Sequence, residues 1–177
     1  MSDKMRIAFK WGLVGGISTS LLGLVLYLLN VERASWLNYV VFGLLIAVII
    51  MGTYEFRDTV LKGFANFKKL LGIGLLIALA FGVVNALWGV YYIEFLKPTL
   101  LNDMMLDTEI SMEEQGISDE QIKQTLDVMK TMMKPHFFFV TSLLNILLVG
   151  LFGSLLTSLV MRKEKPVELI IDEKLSE

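Results

Sequence analysis

Four stretches of this chain, residues 11–31, 34–54, 70–93 and 135–161, contain no Asp, Glu, Lys or Arg. They are 21, 21, 24 and 27 residues long, so 93 residues carry no formal charge and all 34 charged side chains crowd into the other 84. An α-helix needs about 20 apolar residues to cross a hydrocarbon layer of roughly 30 Å, and each stretch supplies that length. Soluble chains do not segregate charge in this way. The pattern predicts an integral membrane protein with four spans, at about 8–30, 36–54, 70–96 and 136–161.

Composition narrows the chemistry. The chain is 55% hydrophobic and has no cysteine, which excludes disulfides, thiolate nucleophiles and Cys-held metal centres. The start (Lys4, Arg6, Lys10, then an apolar run) has the outline of a secretory leader. A leader's apolar region is only about 7–15 residues, whereas this run reaches Asn30, so it is read as a retained first span.

Only Val31–Ser35 separate spans one and two, which predicts a tight antiparallel hairpin. Lys and Arg number 11 on the side of the termini and second loop and 5 on the other. The positive-inside rule then places both termini in the cytoplasm. Trp11, Trp36, Tyr54, Trp88, Tyr91 and Tyr92 fall near the predicted interfaces, where amphipathic rings prefer to sit.

The loops carry the polar organisation. Residues 97–135 predict an extracytoplasmic helical hairpin. Leu101, Met104, Met105 and Met112 form a loose stripe, Gly116 is a helix stop, and Ser118 with Gln121 fits a capping box. Ile122, Leu126, Met129 and Met133 then share one face before Pro135, and eight acids lie between Asp103 and Asp127. In the second loop, Phe56, Val60, Leu61, Phe64 and Phe67 interleave with Arg57, Lys62, Lys68 and Lys69. That pattern suits a short interfacial helix. Residues 166–177 read as a flexible cytoplasmic tail, leaving 1–165 as the membrane domain.

Candidate residues are few. Asn85, Glu94 and Asn145 are polar groups within apolar sequence, where an ionisable side chain is a functional candidate by default. Glu94 lies at a span's rim, within reach of water and Lys97. The lone His136, beside Pro135, reads as an interfacial anchor. Gly12 and Gly16, Gly82 and Ala86, and Gly150 and Ser154 recur at helix-packing spacing. Six of ten methionines lie in the third loop, and thioethers are soft ligands for Cu(I). Methionine also fills adaptable apolar surfaces, so Met104, Met105, Met129 and Met133 are read first as a partner surface. No phosphate loop, nucleophile triad or nucleic-acid stripe is present, and no metal or cofactor is expected.

Three stretches near the spans carry a resemblance: Lys10–Gly16 opening span one, Tyr54–Asp58 closing span two, and Gly63–Phe67 before span three. With Met112–Ile122 in the acidic loop, their order and spacing over about residues 4–165 resemble an uncharacterised bacterial family known only as a domain of unknown function. The resemblance implies a four-span protein of the inner membrane and brings no activity or site residue. The expected fold is an all-α membrane four-helix bundle with the outer hairpin between spans three and four. The expected function is non-enzymatic: an accessory or scaffold subunit offering its acidic, Met-rich hairpin to a membrane or extracytoplasmic protein, or to a second copy. The alternatives are a small-molecule or lipid transporter using Asn85, Glu94 and Asn145, and Cu(I) handling by the methionines.

Overall fold

The computed structural model describes residues 2–29, 31 and 37–163. Most of the predicted 31–35 turn, Trp36 and the predicted 166–177 tail lie outside the described residues. Six α-helices follow in order: α1 (Asp3–Leu28), α2 (Leu37–Glu55), α3 (Phe67–Tyr91), α4 (Leu100–Glu114), α5 (Asp119–Met132) and α6 (Pro135–Met161). A π-helical turn extends α2 through Phe56–Val60, and a second extends α3 through Tyr92–Leu96. With these turns, four helices among the described residues are long and apolar enough to cross a membrane: Asp3–Leu28, Leu37–Val60, Phe67–Leu96 and Pro135–Met161.

The helix ends have local causes. Ser2 sits extended and its hydroxyl accepts from the Met5 amide at 3.4 Å, so α1 starts five residues before the predicted span. The Asn66 side chain accepts from the Lys69 amide at 3.2 Å and caps α3. Pro135 occupies the first position of α6, where its missing N–H costs nothing.

The chain divides into two compact units, 1–84 with 146–177 and 85–145. In the first unit, α1 lies antiparallel to α2: Gly15 abuts Val48, and Trp11 lies over Gly52. It lies parallel to α3, since Lys4 meets Gly72, Gly12 meets Ala80 and Gly16 meets Val84, all at one sequence offset. The first part of α3 runs antiparallel to the last part of α6, pairing Gly74 with Ser154 and Ala78 with Gly150. Leu45, Ile49, Ile73, Ile77 and Phe81, all fully buried, form the centre. Close approach through small residues is how helices gain dispersion contact where lipid removes the hydrophobic drive.

Only 28–44% of each spanning window is buried inside the protein. Val14, Ile17, Leu21 and Val25 on α1 and Phe152, Leu156 and Val160 on α6 are at least half exposed. An apolar surface this continuous is stable in hydrocarbon and not in water.

Two buried hydroxyls in this core, Thr53 Oγ1 and Ser154 Oγ, have no hydrogen-bond partner among the described residues. A buried hydroxyl without a partner is a net cost, and valine has nearly the shape of threonine. Thr53→Val is therefore expected to leave stability unchanged or raise it by up to about 1 kcal/mol. Thermal unfolding in mild detergent measures this, and a clear loss would contradict the assignment.

The second loop departs from expectation. Instead of an interfacial helix, residues 61–66 form a tight turn, with Lys62 at φ 53° and Gly63 at φ 85°. Two consecutive left-handed residues break any helix. The backbone of Ala65 then exchanges hydrogen bonds with Lys163, at 2.8 and 3.0 Å. Phe56 and Ala65 are consequently buried in the bundle, with 5% and 4% exposure.

The second unit contains the α4–α5 hairpin. Gly116, at φ 72°, provides the left-handed stop between the helices. Ser118 is the N-cap of α5, but its hydroxyl contacts the Gln121 side chain at 3.4 Å instead of a backbone amide, so the predicted capping box is incomplete.

Candidate functional site

The strongest polar constellation lies at one end of the first unit, and its parts come from three stretches of chain. Glu55 closes α2 as the first charge after 21 uncharged residues. Lys10 and Trp11 stand at the boundary where α1 becomes uncharged. Antiparallel packing of α1 on α2 brings these boundaries together. The Trp11 indole crosses Gly52, whose absent side chain makes room for it. One turn later its Nε1–H donates to Glu55 Oε2 at 2.6 Å. Lys10 Nζ donates to Glu55 Oε1 and Oε2, at 3.0 and 2.8 Å, and sits 5.2 Å from the Trp11 ring centroid. One carboxylate thus accepts three hydrogen bonds from α1.

Beside it, within the π-helical turn, Arg57 Nε donates to Asp58 Oδ1 at 2.7 Å, and its guanidinium lies 4.9 Å from the Tyr54 ring centroid. Lys163, already tied by its backbone to Ala65, places Nζ 5.5 Å from the Phe64 ring centroid. These contacts fasten the end of α2, the 61–66 turn and the end of α6. Both acids of the arrangement are ion-paired, Glu55 with Lys10 and Asp58 with Arg57. It is chemically a clamp, with no nucleophile set beside a base among its described residues.

The hairpin is the second constellation, and it is underpacked. Among the described residues of 97–134, only Ile122 is buried. Met104, Leu106, Ile110, Val128 and Met132 are 41–57% exposed. Leu106 with Ile110, and Val128 with Met132, are each four residues apart and so share a helix face. A cleft of about 410 Å³ also opens between the helices, over Ile122 and Leu126. Glu109, Glu113, Asp119 and Asp127 line it with Lys123 and Lys130.

The sequence candidates distribute as follows. Gly12, Gly16, Gly150 and Ser154 all lie at the helix contacts of the first unit, and Gly82 and Ala86 are buried on α3. Asn85 is half-buried, whereas Glu94 and Asn145 are exposed, and none of the three lines the hairpin cleft. Met105, Met129 and Met133 are half-buried on the hairpin, Met104 is exposed, and the exposed His136 ring lies tilted at 47° to Phe137, with centroids 4.9 Å apart. No group of three or more His, Cys, Asp or Glu is placed to hold a metal ion among the described residues.

Sequence reasoning missed Glu55 as a site residue. The usable signal was positional, since Lys10 and Glu55 are the charges that bound two neighbouring uncharged stretches.

A family model described as "Protein of unknown function (DUF4199)" matches residues 10–163. No curated protein and no solved structure matches the chain.

Proposed function

The chain belongs to the DUF4199 family, proteins of unknown function, and from that footing we propose that it is a non-enzymatic accessory or scaffold subunit of the bacterial inner membrane. Both termini lie in the cytoplasm, and the α4–α5 hairpin is offered on the outer side to a membrane or extracytoplasmic protein, or to a second copy. The reading is supported chiefly by one observation: the hairpin leaves Leu106, Ile110, Val128 and Met132 at 46–57% exposure while burying only Ile122. Two short helices gain little from each other at so low a burial, and a matching apolar surface supplies what is missing. The charges around the cleft give such a contact its orientation more than its strength.

Transport by way of Asn85, Glu94 and Asn145 has less support, because Glu94 and Asn145 are exposed. Copper handling rests only on the methionine count.

Site-specific photocrosslinking from positions 106 and 128 of the full chain, expressed at native level, tests the proposal. A discrete adduct is expected from both. Leu106→Glu with Val128→Glu should weaken that association by roughly ten-fold or more, as loss of central apolar anchors does, with the thermal midpoint unchanged. A chain that stays monomeric and gives no adduct from either position overturns the proposal.

A further inference from the structure

A second surface, in the first unit, points to a different ligand. The parallel contact of α1 with α3 leaves a groove of about 270 Å³ along their outer side. Met5, Phe9 and Leu13 form one wall and Leu76, Leu79 and Val83 the other, with Ala8 and Ala80 among the lining residues. Nine residues of each helix, Met5–Leu13 and Leu76–Val84, give it a length of roughly 12 Å, and its lining contains no charged residue.

What lies just beyond one end of this groove sets it apart from an ordinary lipid-facing furrow. Because α1 and α3 are parallel, both begin at the same end, and both direct their amino-terminal dipoles there. The half-buried Lys4 extends over Gly72, where Nζ lies 3.0 Å from the position a Cβ would occupy. Gly72 precedes Leu76 by one turn, so this ammonium sits one turn beyond the groove wall. Lys68 and Lys69, both exposed, stand on the first turn of α3, one turn before Gly72. A hydrocarbon slot therefore leads to three lysines and two helix amino termini, with Asp3 on the first turn of α1 set 3.8 Å from Arg6.

We propose that this groove is a binding site for one anionic phospholipid of the surrounding leaflet. An acyl chain lies between α1 and α3, and the phosphate lies against Lys4 with Lys68 and Lys69. A free anion satisfies the lysines but leaves the slot empty, and a zwitterionic lipid fills the slot but brings a competing cation. Gly72 has a defined part in this, since a Cβ there would stand 3.0 Å from the Lys4 ammonium and press on it, and a large side chain would displace it.

Native mass spectrometry of the delipidated full chain tests this, after equilibration with equal amounts of dioleoyl phosphatidylglycerol and dioleoyl phosphatidylcholine. The expected result is one tightly retained phosphatidylglycerol. Its preference over phosphatidylcholine should fall roughly five-fold for each cation removed, in Lys4→Gln and in Lys68→Gln with Lys69→Gln. The second variant changes only exposed side chains, so it remains informative if Lys4→Gln folds poorly. Leu79→Trp, whose added bulk fills the slot, should lose the retained lipid. Leu156→Trp, in the apolar groove of about 490 Å³ that α2 and α6 residues line, should keep it. Equal retention of both lipids overturns the proposal, as does loss in Leu156→Trp equal to that in Leu79→Trp. Displacement of the lipid preference by inorganic phosphate alone also overturns it, since that result assigns the lysines to a free anion.

Discussion

Gly12→Leu is expected to prevent the helices of the first unit from assembling, with a stability loss of about 3 kcal/mol or more. A Cβ at Gly12 would overlap the Ala80 Cβ and come within 3.0 Å of both the Ile77 carbonyl oxygen and the Phe81 amide nitrogen. Two of these three neighbours are backbone, so no rotamer change relieves the contact and α1 must move away from α3. That movement also disturbs Gly15 against Phe81 and Gly16 against Val84, where a Cβ would stand 2.9 and 2.7 Å from its nearest neighbour. Gly43 is the matched control. It is exposed on α2 with nothing within 4 Å of its Cβ position, so Gly43→Leu should be neutral or stabilising by up to about 1 kcal/mol through helix propensity. Thermal unfolding in one detergent compares the two, and equal behaviour would contradict the packing described for α1 and α3.

The second large effect is expected at Glu55. Glu55→Ala removes the acceptor for the half-buried Trp11 indole and for Lys10 together. The indole hydrogen bond to a carboxylate is the main part, worth about 1.5–3 kcal/mol. Lys10 has 54% of its side chain exposed and adds less than about 1 kcal/mol, because water screens it. The expected total is about 2–3 kcal/mol for Glu55→Ala. Glu55→Gln retains a neutral acceptor and should lose about half as much. Lys10→Ala should cost little, and its cost should shrink further with added salt. Thermal midpoints at low and high salt separate the two arms. A Lys10→Ala loss as large as that of Glu55→Ala would show that the charge pair, and not the indole, carries the clamp.

The spans were legible because charge exclusion is a strong constraint: each uncharged stretch overlaps a spanning helix. Their ends were less legible. Ser2 and Asn66 start α1 and α3 ahead of the apolar runs through capping, a local signal that hydropathy does not register. The second loop misled for a specific reason. Phe56, Phe64 and Phe67 among cations have the composition of an interfacial helix, but Lys62 and Gly63 adopt left-handed conformations and Ala65 pairs with Lys163, nearly a hundred residues away. Such a long-range pairing leaves no trace in local periodicity. Of the candidate residues, the small ones were readable because close helix contact demands a missing side chain. Glu55 was not, because its importance arises only when antiparallel packing places Trp11 over Gly52.

The two π-helical turns, Phe56–Val60 and Tyr92–Leu96, have a consequence for chain length. Each closes its helix with a wider turn: the amides of Leu61 and Lys97 donate to the carbonyls of Phe56 and Tyr92, five residues back, at 3.2 and 2.8 Å. Such a turn holds one residue more than an α turn does. Removing one residue there lets the turn close as regular α-helix, and the deletion is absorbed where it is made. The chain beyond then departs at nearly its original angle. The same deletion in the body of α2 or α3 rotates everything after it by about 100°. Loss of one residue is therefore tolerated best at these two helix ends.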